Sequence, residues 1–479
     1  MSSAQKCTRS ADLLSNRALV LSVAALTVAG FVLRLLCARG DLWLDEIWSI
    51  QNLQSISNVG QIFWGISQDN NHVLNSLWLW FVGPDAAPIL IRLEAVVLGS
   101  LTIPIAAKFC ARSGPAAALG GAALVAGSAI FVHYGSEARG YAGLILMIFI
   151  AAEVLENFLE EPANHRSRLV FGAAVAFGAL FHLTMLTAAF TLIVATLARI
   201  YFRSRSPRGV ASAAIDLAIP AALGSLPALG FLVAGVLTTH KIQLGDQVPF
   251  TFARLARGLA TLYEATLGLP YGLPLWLAAA VAIILTGASL FLIPPERRIL
   301  PLACLLLPPF AAILVQMPNV HIARFHLIGA VGLVVLFADV MARLWTARQA
   351  AFALAIGLGL AIGNGLHIAQ LLALGRGDYE QFIARMERAG PATYASNMPA
   401  EVGRTVRFYD ARLGRRLTQV ATSCQTPPDW FILSDDPAGE AARRSFGPPH
   451  CAAPFKLDMV MQPAPLSGLR LALYRRAKS

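Results

Sequence analysis

The sequence predicts a polytopic α-helical membrane protein with about eleven spans, followed by a small C-terminal α/β domain. Of its 479 residues, 56% are hydrophobic and only 14% are charged, whereas about a quarter of the residues in soluble proteins are charged. The apolar residues form long runs separated by short basic clusters, and from about residue 376 amphipathic and alternating segments replace them. We therefore expect a membrane domain over residues 1–375 and an α/β domain over residues 376–479.

The first apolar run, residues 18–36, follows three basic residues and is expected to be an uncleaved anchor with a cytoplasmic N-terminus. Residues 38–72 are polar and aromatic, which predicts an outer loop with short interfacial helices. Residues 73–82 are apolar but too short to cross about 30 Å of hydrocarbon, so they are expected to be re-entrant or interfacial. Residues 238–270 are expected to form a second outer loop. The remaining predicted spans are residues 89–108, 115–132, 140–158, 169–183, 185–201, 211–236, 271–293, 299–316, 325–344 and 350–373.

Basic residues give the orientation. The net charge is +11, from 38 basic and 27 acidic residues. With about eleven spans the basic clusters all fall on one side, which is the positive-inside pattern of the cytoplasmic face. The sequence has no zinc-finger spacing or RNP-like motif, so nucleic acid is not an expected partner. An odd number of spans places the C-terminal domain outside, and the short basic turns suit a bacterial inner membrane with that domain in the periplasm.

The C-terminal region predicts both helix and strand. Residues 399–411 have the pattern of an amphipathic helix, and residues 429–433 that of a buried strand. Residues 469–474 alternate, as in a strand with one wet face. Cys424 and Cys451 could form a disulfide if the region is extracytoplasmic, but the sequence leaves this open.

Two adjacent carboxylates, Asp45 and Glu46, lie where the first span meets water, between Trp43 and Trp48. Carboxylates are costly in hydrocarbon, so they are expected to face a polar cavity. The topology brings the other unusual polar residues to the same face. They are Asp69, Asn70, Asn71, His72, Glu137, Arg139, Tyr141, His182, His321 and Arg324.

Each of these residues also has an ordinary structural interpretation. His182 and His321 could be satisfied core histidines, Arg139 could extend to the interface, and Glu137 could be its surface partner. Ionisable groups that converge at span ends mark a substrate path more often than isolated ones do. Their joint placement therefore favours a binding site on the outer face.

The order of these motifs resembles the GT-C superfold of polyprenyl-phosphate-sugar-dependent glycosyltransferases. The nearest branch includes protein O-mannosyltransferases and lipid A aminoarabinose transferases, and the resemblance covers roughly residues 18–345. The motifs, in chain order, are Leu42-Trp43-Leu44-Asp45-Glu46, Asn71-His72-Val73-Leu74, Ile91-Arg92-Leu93-Glu94, Ser136-Glu137-Ala138-Arg139-Gly140-Tyr141 and Ala323-Arg324-Phe325.

The chain departs from this pattern at three points. Val73 and Leu74 replace the prolines of a His-Pro-Pro motif, and Gly140 replaces the proline that follows the arginine. Phe325 replaces a tyrosine and removes a hydroxyl. These changes affect the details of the pocket more than the class of enzyme.

The resemblance implies that a sugar carried on a polyprenyl phosphate is transferred at the outer face to a glycan, lipid or protein. An acceptor hydroxyl that attacks the anomeric carbon needs a base, and Asp45 is the candidate, with Glu46 placing the acceptor or stabilising charge on the sugar. The leaving phosphate needs fixed positive charge, for which Arg139 and Arg324 are candidates. A single displacement predicts inversion. The other expected substrate-binding residues are Asn71, His72, Glu137, Tyr141, His182 and His321.

A cofactor is not firmly implied. Asp45, Glu46, His72 and Glu137 could supply ligands to a divalent metal, but no spacing such as HExxH supports one. The alternative function is a transporter or a flippase for lipid-linked sugars. Transporters place polar residues near the bilayer midplane and often contain inverted repeats, whereas here the charges lie at span ends on one face. A membrane scaffold is a further alternative, but it gives the carboxylates and Arg324 no role.

Overall fold

Long apolar helices make up most of the chain up to Leu374 in the computed structural model. The structure describes residues 3–66, 68, 71–240, 247–388, 390–421, 426–434, 445–446 and 455–477, without the side chains of residues 3–16 and 445–446. Cys424 and Cys451, like Asp69 and Asn70, lie outside the described residues, so the predicted disulfide is not tested.

The described helices divide into a long N-terminal series and two helices near the C-terminus. The N-terminal series is α1 (Ser3–Cys37), α2 (Leu44–Gln54), α3 (Gln61–Trp64), α4 (Val73–Val82), α5 (Pro88–Ile91), α6 (Leu93–Cys110), α7 (Pro115–Gly127), α8 (Ala129–Tyr134), α9 (Tyr141–Glu160), α10 (His165–Phe181), α11 (Met185–Ser204), α12 (Pro207–Thr239), α13 (Phe252–Leu267), α14 (Leu275–Leu292), α15 (Pro295–Leu314), α16 (Leu327–Thr346) and α17 (Ala350–Leu374). The C-terminal helices are α18 (Tyr379–Glu387) and α19 (Pro399–Leu413). Short 3-10 helices cover Ala111–Ser113 and Ala323–His326.

The predicted membrane-spanning architecture is confirmed. Within the described residues, nine helical stretches are long and apolar enough to cross a bilayer. The other two predicted spans are also helical, but one is α10, of 17 residues, and the other is divided into α7 and α8. Ser128 has an extended backbone between α7 and α8. The amide oxygen of Asn364 accepts a hydrogen bond from the N–H of Ala129 at 2.7 Å, which replaces a bond that a continuous helix would have made.

The two loops on the face that carries Asp45, here called the Asp45 face, are partly helical. The 38–72 loop contains α2 and α3, as predicted. The second loop was predicted over residues 238–270, but α13 occupies part of it. Leu262 and Ala265, on its buried side, share the main apolar core with α16, and Leu255 lies in a smaller cluster with Ala312 and Val320. Charged residues interrupt the apolar pattern of α13, and for this reason its segment of the sequence was interpreted as a loop.

The C-terminal region forms a small α/β domain. Within the described part of this region, a six-stranded sheet has the order β2-β1-β3-β6-β5-β4, in which β1 is parallel to β2 and β3 and the other neighbours are antiparallel. The strands are β1 (Ala392–Ser396), β2 (Leu417–Gln419), β3 (Trp430–Ser434), β4 (Ser445–Phe446), β5 (Phe455–Met461) and β6 (Leu471–Arg476).

The predicted helix and both predicted strands are present, as α19, β3 and β6. The prediction of a wet face on residues 469–474 was wrong. Leu471 and Leu473 lie in one apolar cluster, whereas Ala472 and Tyr474 lie in another on the opposite face of the sheet. The sheet is therefore covered on both faces at this strand.

The α/β domain packs directly on the 38–72 loop. Trp43 and Ile47 share one apolar cluster with Tyr379, Tyr409 and other residues of the domain. The hydroxyl of Tyr409 donates to the carbonyl of Leu42 at 2.8 Å. This packing fixes the position of α2, the helix that carries the two carboxylates.

Candidate active site

The segment between α1 and α2 delivers Asp45 and Glu46 to the first turn of α2. Negative side chains are favourable there because the first turn of a helix has unpaired N–H groups. The backbone N–H of Trp43 donates to Glu46 Oε2 at 3.2 Å, which fixes the start of the helix. Neighbouring residues of a helix point about 100° apart, so the two carboxylates have different surroundings.

Glu46 is fully buried. It accepts hydrogen bonds from the Arg92 guanidinium at 2.8 and 2.6 Å, and from the N–H of Ala138 at 2.8 Å. Burial alone would raise the pKa of Glu46, but the charge and hydrogen bonds of Arg92 outweigh burial and lower that pKa. Arg92 also donates to the carbonyls of Ala38 and Asp41. The pair thus joins the end of α1, the start of α2 and the turn that precedes α9.

Asp45 faces away from this pair, toward two other arginines. Its Oδ2 lies 2.9 Å from Arg139 Nη1 and 2.9 Å from Arg324 Nη1. The three side chains are largely buried, at 13, 5 and 15% exposure for Asp45, Arg139 and Arg324. The fold thus brings an acid from the first loop together with an arginine 279 residues later in the chain.

Aromatic side chains orient both guanidinium groups. Arg139 donates to the hydroxyl of Tyr141 at 3.2 Å, and its guanidinium lies 5.5 Å from the centre of that ring. The guanidinium of Arg324 lies 5.9 Å from the Trp43 ring and 5.7 Å from the Phe325 ring. Cation–π contacts of this kind hold an arginine in place while its N–H groups remain directed at an anion.

Two histidines complete this side of the site. The His72 and His182 rings stack with centroids 4.9 Å apart, and both lie against Tyr141, at 5.7 and 5.0 Å. His72 Nδ1 lies 3.0 Å from the carbonyl oxygen of Phe181. A backbone carbonyl from the α10–α11 corner therefore holds the residue that precedes α4.

The sequence matches no family model and no curated protein. Solved structures do match this chain, ArnT and an oligosaccharyltransferase among them. The crystal structure of ArnT from Cupriavidus metallidurans bound to undecaprenyl phosphate has a TM-score of 0.51 and 14% identity, over 95% of this chain and 97% of that one. The chain has the GT-C fold. The apo oligosaccharyltransferase of Archaeoglobus fulgidus has a TM-score of 0.45 and 11% identity over 84% of this chain, which spans 64% of the oligosaccharyltransferase chain.

In this GT-C fold, six of the residues predicted from sequence lie together around Asp45 and Tyr141. They are Asp45, His72, Arg139, Tyr141, His182 and Arg324. Asn71 directly precedes His72. Its Nδ2 donates to the carbonyl of Ile62 and its Oδ1 accepts from the hydroxyl of Ser76, so it links the 38–72 loop to α4. His321 lies partly buried in the segment that precedes Arg324.

Glu137 has a different environment from the one predicted. It is fully buried, 3.3 Å from His133 Nε2 and 3.5 Å from Arg376 Nε. Burial alone would raise the pKa of Glu137, but the hydrogen bond from His133 and the charge of Arg376 lower it to about 2. Glu46 and Glu137 are therefore both held in interior ion pairs.

Sequence reasoning missed Arg92, His133 and Arg376 as parts of the site. Arg92 lies in one of the motifs quoted above, but its partner Glu46 is 46 residues away. Arg376 donates to the carbonyls of Cys37 and His133, on segments far apart in the chain. The available signal was a basic side chain just after the last predicted span on the outer side, where the positive-inside pattern gives no reason for one.

The four residues considered as metal ligands do not form one group. Glu46 pairs with Arg92, Glu137 pairs with His133 and Arg376, and Asp45 pairs with two arginines. Within the described residues, no three side chains of His, Cys, Asp and Glu come close enough together to hold a metal ion.

Proposed function

We propose that this protein is an integral-membrane glycosyltransferase. It transfers a sugar from a polyprenyl-phosphate donor to an acceptor hydroxyl, with inversion at the anomeric carbon. The observation that carries the proposal is the contact of Asp45 with Arg139 and Arg324 at the ends of membrane helices. The GT-C fold supports the class, and the undecaprenyl phosphate bound to ArnT supports the choice of lipid carrier.

The two arginines would bind the phosphate of the donor. Two guanidinium groups that converge on one carboxylate oxygen can also converge on a phosphate oxygen, and they present several N–H donors in a fixed plane. Since the phosphate is the leaving group, this charge stabilises the negative charge that develops on it. A phosphate held there would compete with Asp45 for both arginines.

Asp45 would then act as the general base. It accepts the proton of the acceptor hydroxyl while the hydroxyl oxygen bonds to the anomeric carbon and the bond to the phosphate breaks. No general acid is needed because the phosphate leaves as a stable anion. In this scheme Glu46 is a positioning residue, since its pair with Arg92 holds the turn of α2 from which Asp45 projects.

The proposed setting is a bacterial inner membrane, with the Asp45 face and the α/β domain of residues 376–479 in the periplasm. The positive-inside pattern supports this orientation. The acceptor can be a glycan, a lipid or a protein. Residues 1–375 would form the catalytic membrane domain.

The contacts on the opposite face favour an enzyme over a transporter or flippase. Arg112 pairs with Glu153, and Arg199 pairs with Glu156. Arg297 donates to the carbonyl of Arg112 at 2.8 Å. These contacts join the 3-10 helix Ala111–Ser113 to α9 and α15, and α9 to α11, on the side that an alternating-access mechanism would have to open.

Substitution of Asp45 by Asn tests the proposal. In membranes supplied with a radiolabelled undecaprenyl-phosphate sugar, we expect Asp45→Asn to lower transfer to the cell-envelope fraction by about 100-fold or more. Asp85→Asn is the matched control, because Asp85 is an exposed acid in the loop after α4, with a side chain 94% exposed. Transfer at the wild-type rate by Asp45→Asn would exclude the proposed mechanism.

A further inference from the structure

The protonation of His72 is fixed by its surroundings. Its Nδ1 faces the carbonyl oxygen of Phe181 at 3.0 Å, and a carbonyl oxygen can only accept, so Nδ1 carries the proton. Burial, together with the charges of Arg139 and His182, lowers the pKa of His72 well below its usual value, so the ring is neutral. Nε2 is then an acceptor. It is buried and has no hydrogen-bond partner within the described residues.

His182 has the complementary tautomer. The backbone N–H of Thr184 donates to His182 Nδ1 at 3.2 Å, so Nδ1 is the unprotonated nitrogen of the neutral ring and Nε2 carries the proton. The two rings stack with an interplanar angle of 20°. The stacked pair therefore offers one buried acceptor, at His72, and one donor, at His182.

Gly140 allows the contact between His72 and the carbonyl of Phe181. A Cβ at this position would lie 1.9 Å from the carbonyl oxygen of Phe181 and 3.3 Å from the Cβ of His72. The glycine thus lets the α10–α11 corner approach the turn that carries Arg139. A proline at the same position could not coexist with this contact.

A second buried polar atom in the same cluster has no hydrogen-bond partner within the described residues. The hydroxyl of Tyr134 is buried without a hydrogen-bond partner within the described residues, and its ring lies 5.0 Å from Tyr141. Buried polar groups are rarely left unsatisfied. Two of them beside one aromatic cluster are what a site for a polar ligand would present.

We infer that His72 and His182 form a subsite for a hydroxyl group of the transferred sugar, and that this sugar is neutral rather than an amino sugar. The inference rests on the proposed function. A hydroxyl can donate to His72 Nε2 and accept from His182 Nε2. An ammonium group has no lone pair and could use only the first of these contacts.

The charges of the site also disfavour an ammonium group. Within the described residues, the carboxylates of the site, Asp45, Glu46 and Glu137, are each paired with arginine. Four arginines, Arg92, Arg139, Arg324 and Arg376, face these three carboxylates. The surplus of positive charge suits the donor phosphate, but it would repel a cationic sugar.

Two substitutions of His72 separate its contacts. The amide nitrogen of Asn occupies the place of Nδ1, so His72→Asn keeps the bond to Phe181 and removes the acceptor. The longer Gln side chain places its amide near the position of Nε2, so His72→Gln keeps an acceptor and loses the bond to Phe181. His182→Asn similarly keeps an acceptor for the Thr184 N–H and removes the Nε2 donor.

The experiment measures lipid binding to the full-length protein in nanodiscs by native mass spectrometry. The probes are undecaprenyl phosphate, its glucose, mannose, galactose and arabinose derivatives, and the 4-amino-4-deoxyarabinose derivative. We expect one neutral derivative to bind wild type about ten-fold more tightly than the bare lipid does. His72→Asn should abolish this advantage, because the bare lipid has no sugar to contact His72 Nε2, and His72→Gln should retain part of it.

Three outcomes would overturn the inference. They are full retention of the sugar advantage in His72→Asn, no advantage for any neutral derivative, and tighter binding of the amino-sugar derivative than of arabinose. Failure of the proposed function gives a different result. In that case undecaprenyl phosphate would bind no better than undecaprenol, and Arg324→Ala would leave binding of the phosphate unchanged.

Discussion

At the residue scale, two adjacent carboxylates have opposite environments although they share one turn of α2. Glu46 is fully buried and satisfied by Arg92 and the N–H of Ala138. Asp45 is partly exposed and its contacts with Arg139 and Arg324 can exchange for those of an anionic ligand. Loss of either carboxylate should therefore abolish activity for different reasons.

Substitution of Glu46 by Gln should destabilise the protein. It leaves the charge of Arg92 buried without a counter-charge, which typically costs about 3–5 kcal/mol. We expect a lower unfolding temperature in detergent, with loss of folded protein on gel filtration. Asp45→Asn serves as the comparison, since it should lose transfer activity with a smaller fall in unfolding temperature, because the Asp45 side chain is 13% exposed whereas that of Glu46 is fully enclosed. Equal thermal stability of the two variants would contradict the positioning role of Glu46.

Substitution of Arg324 by Lys tests whether the flat guanidinium matters beyond its charge. Lysine keeps the positive charge but loses the planar set of donors and the contacts with the Trp43 and Phe325 rings. We expect transfer to fall by about ten-fold, with a higher KM for the lipid donor. Arg254→Lys, at a partly exposed position of α13, is the control for lysine on the same face. Unchanged kinetics in Arg324→Lys would mean that a point charge suffices.

At the element scale, the site depends on close approach of the α10–α11 corner to the turn before α9. Gly140→Ala should force these two segments apart, because the new Cβ would overlap the Phe181 carbonyl. The bond from His72 to that carbonyl would break. We therefore expect loss of donor binding and a lower unfolding temperature. Gly127→Ala is the matched control, since a Cβ at Gly127 meets nothing within 4 Å.

The sequence was sufficient to predict the membrane-spanning helices, because a long apolar run can cross a membrane in few ways. It did not predict the break between α7 and α8, which depends on the Asn364 side chain of a remote helix. Sequence reasoning also missed α13, a helix with charged residues on one side whose other side packs against α16. Asp45 and Arg324 were predicted to meet from topology alone, but the Glu46–Arg92 pair required knowledge of which neighbour each carboxylate faces.

At the scale of the whole molecule, the α/β domain is anchored to the site by Arg376. This fully buried arginine directly precedes α18 and contacts Glu137 and the carbonyls of Cys37 and His133. His133 in turn contacts the Ser467 hydroxyl of the domain at 2.6 Å. The domain and the turn that carries Arg139 therefore share one polar network.

Removal of this anchor should lower both the unfolding temperature and the rate of sugar transfer. Arg376→Ala leaves Glu137 without its arginine, so we expect an unfolding temperature lower by several degrees and slower transfer. Arg385→Ala removes an exposed ion pair with Asp458 in the same domain and should change the unfolding temperature by a degree or less, because surface pairs contribute little. Identical behaviour of the two variants would argue against an anchoring role for Arg376.

Acid should destabilise the protein in part through His72. Burial and the charge of Arg139 lower the pKa of His72 in the folded state, while an unfolded histidine takes up a proton below about pH 6.5. The unfolded state therefore binds more protons as the pH falls from 7 to 5, and the unfolding temperature should drop over that interval. His72→Asn cannot titrate but keeps the bond to Phe181, so its unfolding temperature should fall less. Parallel curves for wild type and His72→Asn would show that His72 is not held neutral, and the hydrogen-bond acceptor assigned to its Nε2 would then be lost.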